Sequence, residues 1–265
     1  NGLFENVDGQ FVDRSVGSGA NDRGYGIGVT TGDYDKDGDV DLYVTNIGVN
    51  ALLRNDGGGK FTDVTIQSGT EDNGFSACSA FADLDGDGDL DLVVTKYLDI
   101  GLITDRECLD ARSRRTYCNP TIYDAHLHDT LFMNNGDGTF TDATEEAGLA
   151  DVSGTGLGVF IADLTGDALP DIFIANDAMP DRLWANQGDG TFIDEAMKRN
   201  IAMDDSGAAK AGMGATPVDI DQDGDFDVFV TNIYGESDSF YKNEGDYFQD
   251  MTRRTGLSAE TRAYT

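Results

Sequence analysis

Asp83 to Thr95 reads D-L-D-G-D-G-D-L-D-L-V-V-T: five aspartates and two glycines in nine residues, then an apolar run. Alternating carboxylates cannot form a buried strand. Leu92–Thr95, by contrast, is a short unbroken apolar run of the kind buried on both faces of a sheet. The stretch therefore reads as an acidic loop delivering the chain into a core strand.

The same phrase recurs three more times, as D-Y-D-K-D-G-D-V-D from Asp33, D-L-T-G-D-A-L-P-D from Asp163 and D-I-D-Q-D-G-D-F-D from Asp219. Each is followed by its own apolar run: Leu42–Thr45, Ile172–Ala175 and Val228–Thr231. Before each lies a Gly- and Ala-rich stretch, such as Gly26-Ile27-Gly28 or Gly212-Met213-Gly214, suited to a strand packed close to its neighbours. After each comes an apolar pair, an Asn, a Gly-rich turn, a Phe and an Asp: Leu52–Asp63, Leu131–Asp142, Leu183–Asp194 and Phe240–Asp250. The Asn and Gly residues there are expected to supply the positive φ of a tight hairpin.

One repeat is thus strand, acidic loop, strand, strand, turn, strand. Four antiparallel strands in about 50 residues is the size of a propeller blade. The fold class is all-β, a β-propeller of four-stranded antiparallel blades. Loop Asp to hairpin Phe is 28 residues in the first repeat (Asp33–Phe61) and 29 in the third and fourth. It is 57 in the second, Asp83–Phe140, which places an insertion at about 99–126. The hairpin phrase also occurs at the start, Leu3–Asp13, without an acidic loop. Residues 1–265 therefore read as a single propeller domain or a portion of one, with four full blades and an N-terminal half-blade. Ser258–Thr265 is too short to complete that blade, so the open edge is expected to pair with further polypeptide or with another copy, as a homo-oligomer or filament.

The loops explain the charge. Fifty acidic against 18 basic residues give −32, which excludes nucleic acid as a partner. Disorder is excluded too, since 39% of residues are hydrophobic. In the first loop Asp33, Asp35, Asp37 and Asp41 stand at positions one, three, five and nine, Gly38 permits a bend, and the Asp39 carbonyl at position seven can point inward. That spacing folds oxygens around a hard Ca²⁺. The same set is Asp83, Asp85, Asp87, Asp89 and Asp91 in the second loop, and Asp219, Asp221, Asp223, Asp225 and Asp227 in the fourth. The third keeps Asp163, Asp167 and Asp171, with Thr165 at position three, Ala168 at six and the Leu169 carbonyl at seven, and is expected to bind more weakly. Three or four Ca²⁺ ions are expected. Mg²⁺ prefers rigid octahedral shells, and Zn²⁺ would want His or Cys.

These loops, with L-F-M-N-N-G-D-G-T-F-T-D from Leu131, A-G-M-G from Ala211 and C-x9-C-N-P-x-x-Y from Cys108 to Tyr123, resemble the FG-GAP/VCBS repeats of integrin-α-like propellers. The closer resemblance is to secreted proteins of the cartilage-acidic-protein/UnbV type. It implies a seven- or eight-bladed propeller, calcium in the blades, secretion, and adhesion or extracellular binding without an agreed enzymatic activity.

Cys108 and Cys118 in a polar insertion of an exported protein are expected to form a disulfide; the alternative is a zinc site with His126 and His128. Cys78 is expected to be a buried free thiol. Arg106, Arg112, Arg114 and Arg115 read either as a solvated loop balancing nearby acids or as a basic finger for an acidic surface. No apolar run is long enough to span a membrane, no N-x-[ST] site is available, and the start at Asn1 reads as a mature product or an excised piece. With no nucleophile–base pair in view, the function expected is an extracellular calcium-binding propeller, a structural or adhesive module for protein or polysaccharide and not an enzyme. The alternative is a calcium-dependent, lyase-like polysaccharide-processing enzyme.

Overall fold

A computed structural model describes residues 2–99, 107–110, 112–116 and 118–261. Its first element is a hairpin, β1 (Phe4–Val7) and β2 (Gln10–Asp13). Blade 1 follows with β3 (Tyr25–Gly32), β4 (Asp41–Ile47), β5 (Ala51–Asn55) and β6 (Phe61–Asp63). Blade 2 holds β7 (Ser76–Ala82) and β8 (Asp91–Lys96), then the inserted hairpin β9 (Cys108–Leu109) and β10 (Arg115–Thr116), then β11 (Thr130–Asn134) and β12 (Phe140–Asp142). Blade 3 is β13 (Gly156–Ala162), β14 (Asp171–Asn176), β15 (Arg182–Asn186) and β16 (Phe192–Asp194), and blade 4 is β17 (Gly212–Val218), β18 (Asp227–Asn232), β19 (Ser239–Asn243) and β20 (Phe248–Asp250).

Each blade is a four-stranded antiparallel meander in chain order. The acidic loop joins its first two strands, and a Gly turn joins its last two. The first strands pack in series, β3 on β7, β7 on β13 and β13 on β17, so the blades succeed one another around a common line. Small residues permit that approach: a Cβ on Gly158 would come within 2.8 Å of the Gly214 backbone.

The cores lie between blades, not within them. Leu92, Val94, Phe132 and Phe140 of blade 2 meet Tyr34, Tyr43, Leu52 and Val64 of blade 1. Ile172, Ile174, Trp184 and Phe192 of blade 3 meet Leu84, Val93 and Leu131, and Val228, Val230, Tyr241 and Phe248 of blade 4 meet Leu164, Phe173 and Leu183. This is why the second strands read as continuous apolar runs: β8 and β14 are buried at every residue.

Two expectations are corrected. Cys78 is half-buried, because a register shift between Ser76 and Ser79 lifts it from the ladder. The hairpin asparagines do not carry positive φ; the turn glycines do, at 90° in Gly57, 72° in Gly136, 73° in Gly188 and 80° in Gly245. The asparagines end the preceding strand and act through their side chains.

Cys108 in β9 and Cys118, which follows β10, form a disulfide with Cα atoms 5.3 Å apart, so neither is a free zinc ligand. Arg114 pairs with Asp110 and Arg115 with Glu107 inside the insertion, which is the charge-balanced loop; Arg106 lies outside the described residues.

Candidate metal centres

Every acidic loop is built on the same backbone bonds. An outer oxygen of the first aspartate accepts the position-six N–H: Asp33 from Gly38 at 3.1 Å, Asp83 from Gly88 at 3.0 Å, Asp163 from Ala168 at 2.8 Å and Asp219 from Gly224 at 3.2 Å. The position-five aspartate accepts the position-seven N–H, as Asp37 does from Asp39 and Asp167 from Leu169. To close this curl the chain turns left-handed at position six, φ 94° at Gly38, 88° at Gly88, 101° at Gly224 and 70° at Ala168. It does so again at position four, at Lys36, Gly86, Gly166 and Gln222.

Position nine does a second job. Asp41 takes the N–H of Tyr34 in its own loop and of Asn55 in the outer hairpin, at 3.2 and 2.7 Å. Asp91 does so with Leu84 and Asn134, Asp171 with Leu164 and Asn186, and Asp227 with Ile220 and Asn243. Both carboxylate oxygens tie loop to blade. Burial pushes Asp41 and Asp91 up to about 6 despite those bonds, and raises Asp171 and Asp227 in the same direction.

Carboxylate oxygens converge at three centres among the described residues: Asp33, Asp35 and Asp37; Asp83, Asp85 and Asp91; and Asp219, Asp221 and Asp223, each set within 4.8 Å. In the second loop the third member is Asp91 and not Asp87. Asp39, Asp89 and Asp225 turn no carboxylate into these centres; Asp89 instead meets Lys36 of the first loop at 2.8 Å. The third loop forms no such trio, and at position three Thr165 offers a neutral hydroxyl where the other loops carry a carboxylate.

Asp33 Oδ1, Asp219 Oδ1 and Thr165 Oγ1 are buried without a hydrogen bond. A carboxylate oxygen withdrawn from water and left unpaired is costly, and Asp33 and Asp219 each belong to a set of three converging carboxylates. Like charges within 4.8 Å add repulsion. A hard divalent cation removes both costs, so the residues fit one. In the fourth loop Lys242 Nζ offsets part of the repulsion, 2.8 Å from Asp221 and 4.0 Å from Asp223, and holds the Asp221 carboxyl below its ordinary range.

The residues that link loops across blades had only a turn role in the sequence reading. Asn134 Nδ2 donates to Leu90 O of its own loop and to Tyr34 O of the loop before, 3.0 and 2.9 Å. Asn186 does the same with Pro170 O and Leu84 O, and Asn243 with Phe226 O and Leu164 O. Their signal was present, an Asn at one fixed place in every hairpin phrase.

Among curated proteins, cartilage acidic protein 1 of Homo sapiens is 34% identical over 94 residues, 36% of this chain and 14% of that protein. Its Xenopus tropicalis counterpart is 33% identical over 103 residues, 39% of this chain and 16% of that protein. The chain thus matches a small part of these relatives' length. Among solved structures, an Agrocybe aegerita lectin described as recognising non-reducing terminal N-acetylglucosamine aligns over 83% of this chain and 50% of its own, with 21% identity and a TM-score of 0.42. The V. cholerae biofilm matrix protein Bap1 aligns over 85% and 30%, with 15% identity and a TM-score of 0.42. The FG-GAP-like repeat profile matches residues 33–94, 122–174 and 163–230. Two of these segments open on the first aspartate of an acidic loop, and all three close on the second-strand residue facing the preceding blade. With more than half of its residues matched, the chain belongs to the FG-GAP-like repeat family.

Proposed function

We propose that residues 1–265 act as one extracellular propeller-type module, stiffened by Ca²⁺ in its acidic loops, that binds protein or polysaccharide. The observation that carries the calcium reading is the row of orphaned buried oxygens, Asp33 Oδ1, Thr165 Oγ1 and Asp219 Oδ1, in equivalent loops. Asp33, Asp35 and Asp37 would hold one ion, Asp83, Asp85 and Asp91 a second, and Asp219, Asp221 and Asp223 a third. The third loop would hold a weaker fourth through Asp163, Thr165 and Asp167. All-oxygen sets of flexible carboxylates suit Ca²⁺ better than Mg²⁺.

The Cys108–Cys118 disulfide supports an oxidising, extracellular setting. The metal's role is structural: each loop is pinned to its own hairpin by the position-nine aspartate, and the first three are pinned to the next blade by an asparagine, so ordering one of those loops orders two blades.

Thermal melts with EGTA and with millimolar Ca²⁺ test this, since an ion bound only to the native state raises the midpoint. Calcium should raise it and magnesium should restore little. Native mass spectrometry should count three or four ions. Coincident melts, or one ion or none, would remove calcium from the proposal. A glycan and matrix-protein array, read with and without Ca²⁺, then identifies the ligand class.

A further inference from the structure

The residue before the hairpin asparagine differs in every blade. It is Arg54, Met133, Ala185 and Lys242 in turn, paired in the ladder with Thr62, Thr141, Ile193 and Gln249 at the same register. Two of the four are cations, and they take different partners. Arg54 pairs with the hairpin turn, its guanidinium 2.7 Å from Asp56. Lys242 stands on the acidic loop, its Nζ 2.8 Å from Asp221 and 4.0 Å from Asp223, with Glu244 at 3.3 Å. Glu244 follows Asn243 as Asp56 follows Asn55. Blade 1 thus holds its cation on the turn acid, whereas blade 4 holds its cation on the loop with the turn acid still in reach.

Asp221 and Asp223 are the position-three and position-five carboxylates of the fourth centre, where they converge with Asp219. An ammonium at hydrogen-bond distance from Asp221 takes up part of that carboxylate's coordination and carries charge of the same sign as a metal ion. An entering divalent ion must displace it or work against its repulsion. Displacement is open to Lys242, because its charge is compact and rides on a flexible four-carbon stem. The first and second centres differ. Among the described residues no ion pair reaches Asp33, Asp35 or Asp37, nor Asp83, Asp85 or Asp91; Lys36 meets Asp89, which is outside the second trio.

We infer that Lys242 is a tethered counter-ion of the fourth centre, which calcium displaces onto Glu244. The inference rests on the calcium reading of the loops. It gives the fourth loop a cation of its own, so the loop keeps its curl where calcium is scarce and takes an ion only at higher concentration. The fourth centre therefore fills after the first and second, although its aspartates match theirs. The third loop is weak for another reason, the missing carboxylate at position three. Blade 4 thus responds to calcium over a higher range than blades 1 and 2, and one side chain sets that range.

The test is Lys242→Met, the residue that blade 2 has at that place, made in the full chain. Hydrogen exchange of residues 33–41 and 219–227 is followed as Ca²⁺ is added, and melts are recorded in EGTA and in saturating Ca²⁺. In Lys242→Met, residues 219–227 should become protected at about ten-fold lower Ca²⁺, the order expected for removing a like charge a few ångströms from the ion. Residues 33–41 should be unaltered. The variant should melt below the wild type in EGTA, where its three carboxylates have lost their cation, and should close or reverse that gap in Ca²⁺. Glu244→Gln, which leaves the ammonium no second acid, should move residues 219–227 to higher Ca²⁺. The inference is overturned if Lys242→Met leaves the calcium response of residues 219–227 in place while residues 33–41 respond. It is overturned equally if the melting midpoint falls by the same amount in EGTA and in Ca²⁺, which is the mark of lost packing alone. If neither loop responds to Ca²⁺ in any of the three proteins, the calcium reading falls and takes the inference with it.

Discussion

Ala168 holds a φ of 70° at the loop position where Gly38, Gly88 and Gly224 stand in the other blades. A left-handed conformation crowds Cβ against the backbone and costs about 1 kcal/mol or more for a non-glycine residue. Ala168→Gly should therefore raise stability by about 1 kcal/mol, read as a shift of the denaturant midpoint. Asp181 makes a second case at the opposite end of blade 3. It accepts Asn176 N–H, as Asn50 accepts Asn46 N–H in blade 1, but burial pushes its carboxyl up to about 8. As pH rises past the ordinary carboxylate range, the unfolded chain ionises first while the folded chain keeps its proton. Stability is thus lost as pH rises towards about 8. Asp181→Asn, the residue blade 1 already uses, should flatten that slope and be the more stable protein at alkaline pH in melts across the range. At this scale the convergence of the position-one and position-three aspartates in the first, second and fourth loops was legible from spacing. The left-handed turn at position four was not, because Lys36 and Gln222 do not advertise it, and neither was the clamp made by Asp41 and its equivalents, whose partners lie in another phrase of the repeat.

Within a blade the position-nine aspartate and the hairpin asparagine bind loop to hairpin, and a second bond of the asparagine crosses to the blade before. Asn134 and Asn55 occupy the same place in successive hairpins but carry different loads. Each asparagine also accepts its turn N–H, but removing Asn134 strips the buried Tyr34 O and the part-buried Leu90 O of their donor, whereas removing Asn55 strips a single carbonyl, Val40 O, at an exposed site. Leaving buried acceptors unpaired costs about 1–3 kcal/mol, so Asn134→Ala should lose about 2 kcal/mol and Asn55→Ala under about 1. Chemical denaturation of the two variants measures the difference, and equal losses would mean that the cross-blade bond contributes nothing. Blade order and strand count were readable because each element repeats a phrase at constant spacing. The packing partner of each face was not readable: Leu92 and Val93 are both apolar, and nothing in the run says that one meets blade 1 and the other blade 3. An alternating strand announces its buried side, but a strand buried on both sides does not.

Across the whole molecule the apolar interfaces grow from the N-terminal side inward. The face of blade 1 that looks towards β1 and β2 has Val44, Ala51 and Leu53 as its buried cluster, while the interface between blades 3 and 4 unites twelve buried residues, Phe160 to Phe248. Local opening is easiest where few apolar contacts hold an element and its backbone bonds meet solvent. β1 and β2 are exposed at every residue and β3 is mostly exposed, whereas β14 has neighbours on both faces and both edges. Native-state hydrogen exchange should accordingly give a gradient, with β1 to β3 opening well below the global unfolding energy, β8 higher and β14 exchanging only when the whole chain unfolds. Calcium should steepen it, because the ions proposed for the loops stabilise blades already joined to neighbours on both sides more than the hairpin that has no loop of its own. A flat profile over the four blades would show that the exposed face of blade 1 is covered in solution.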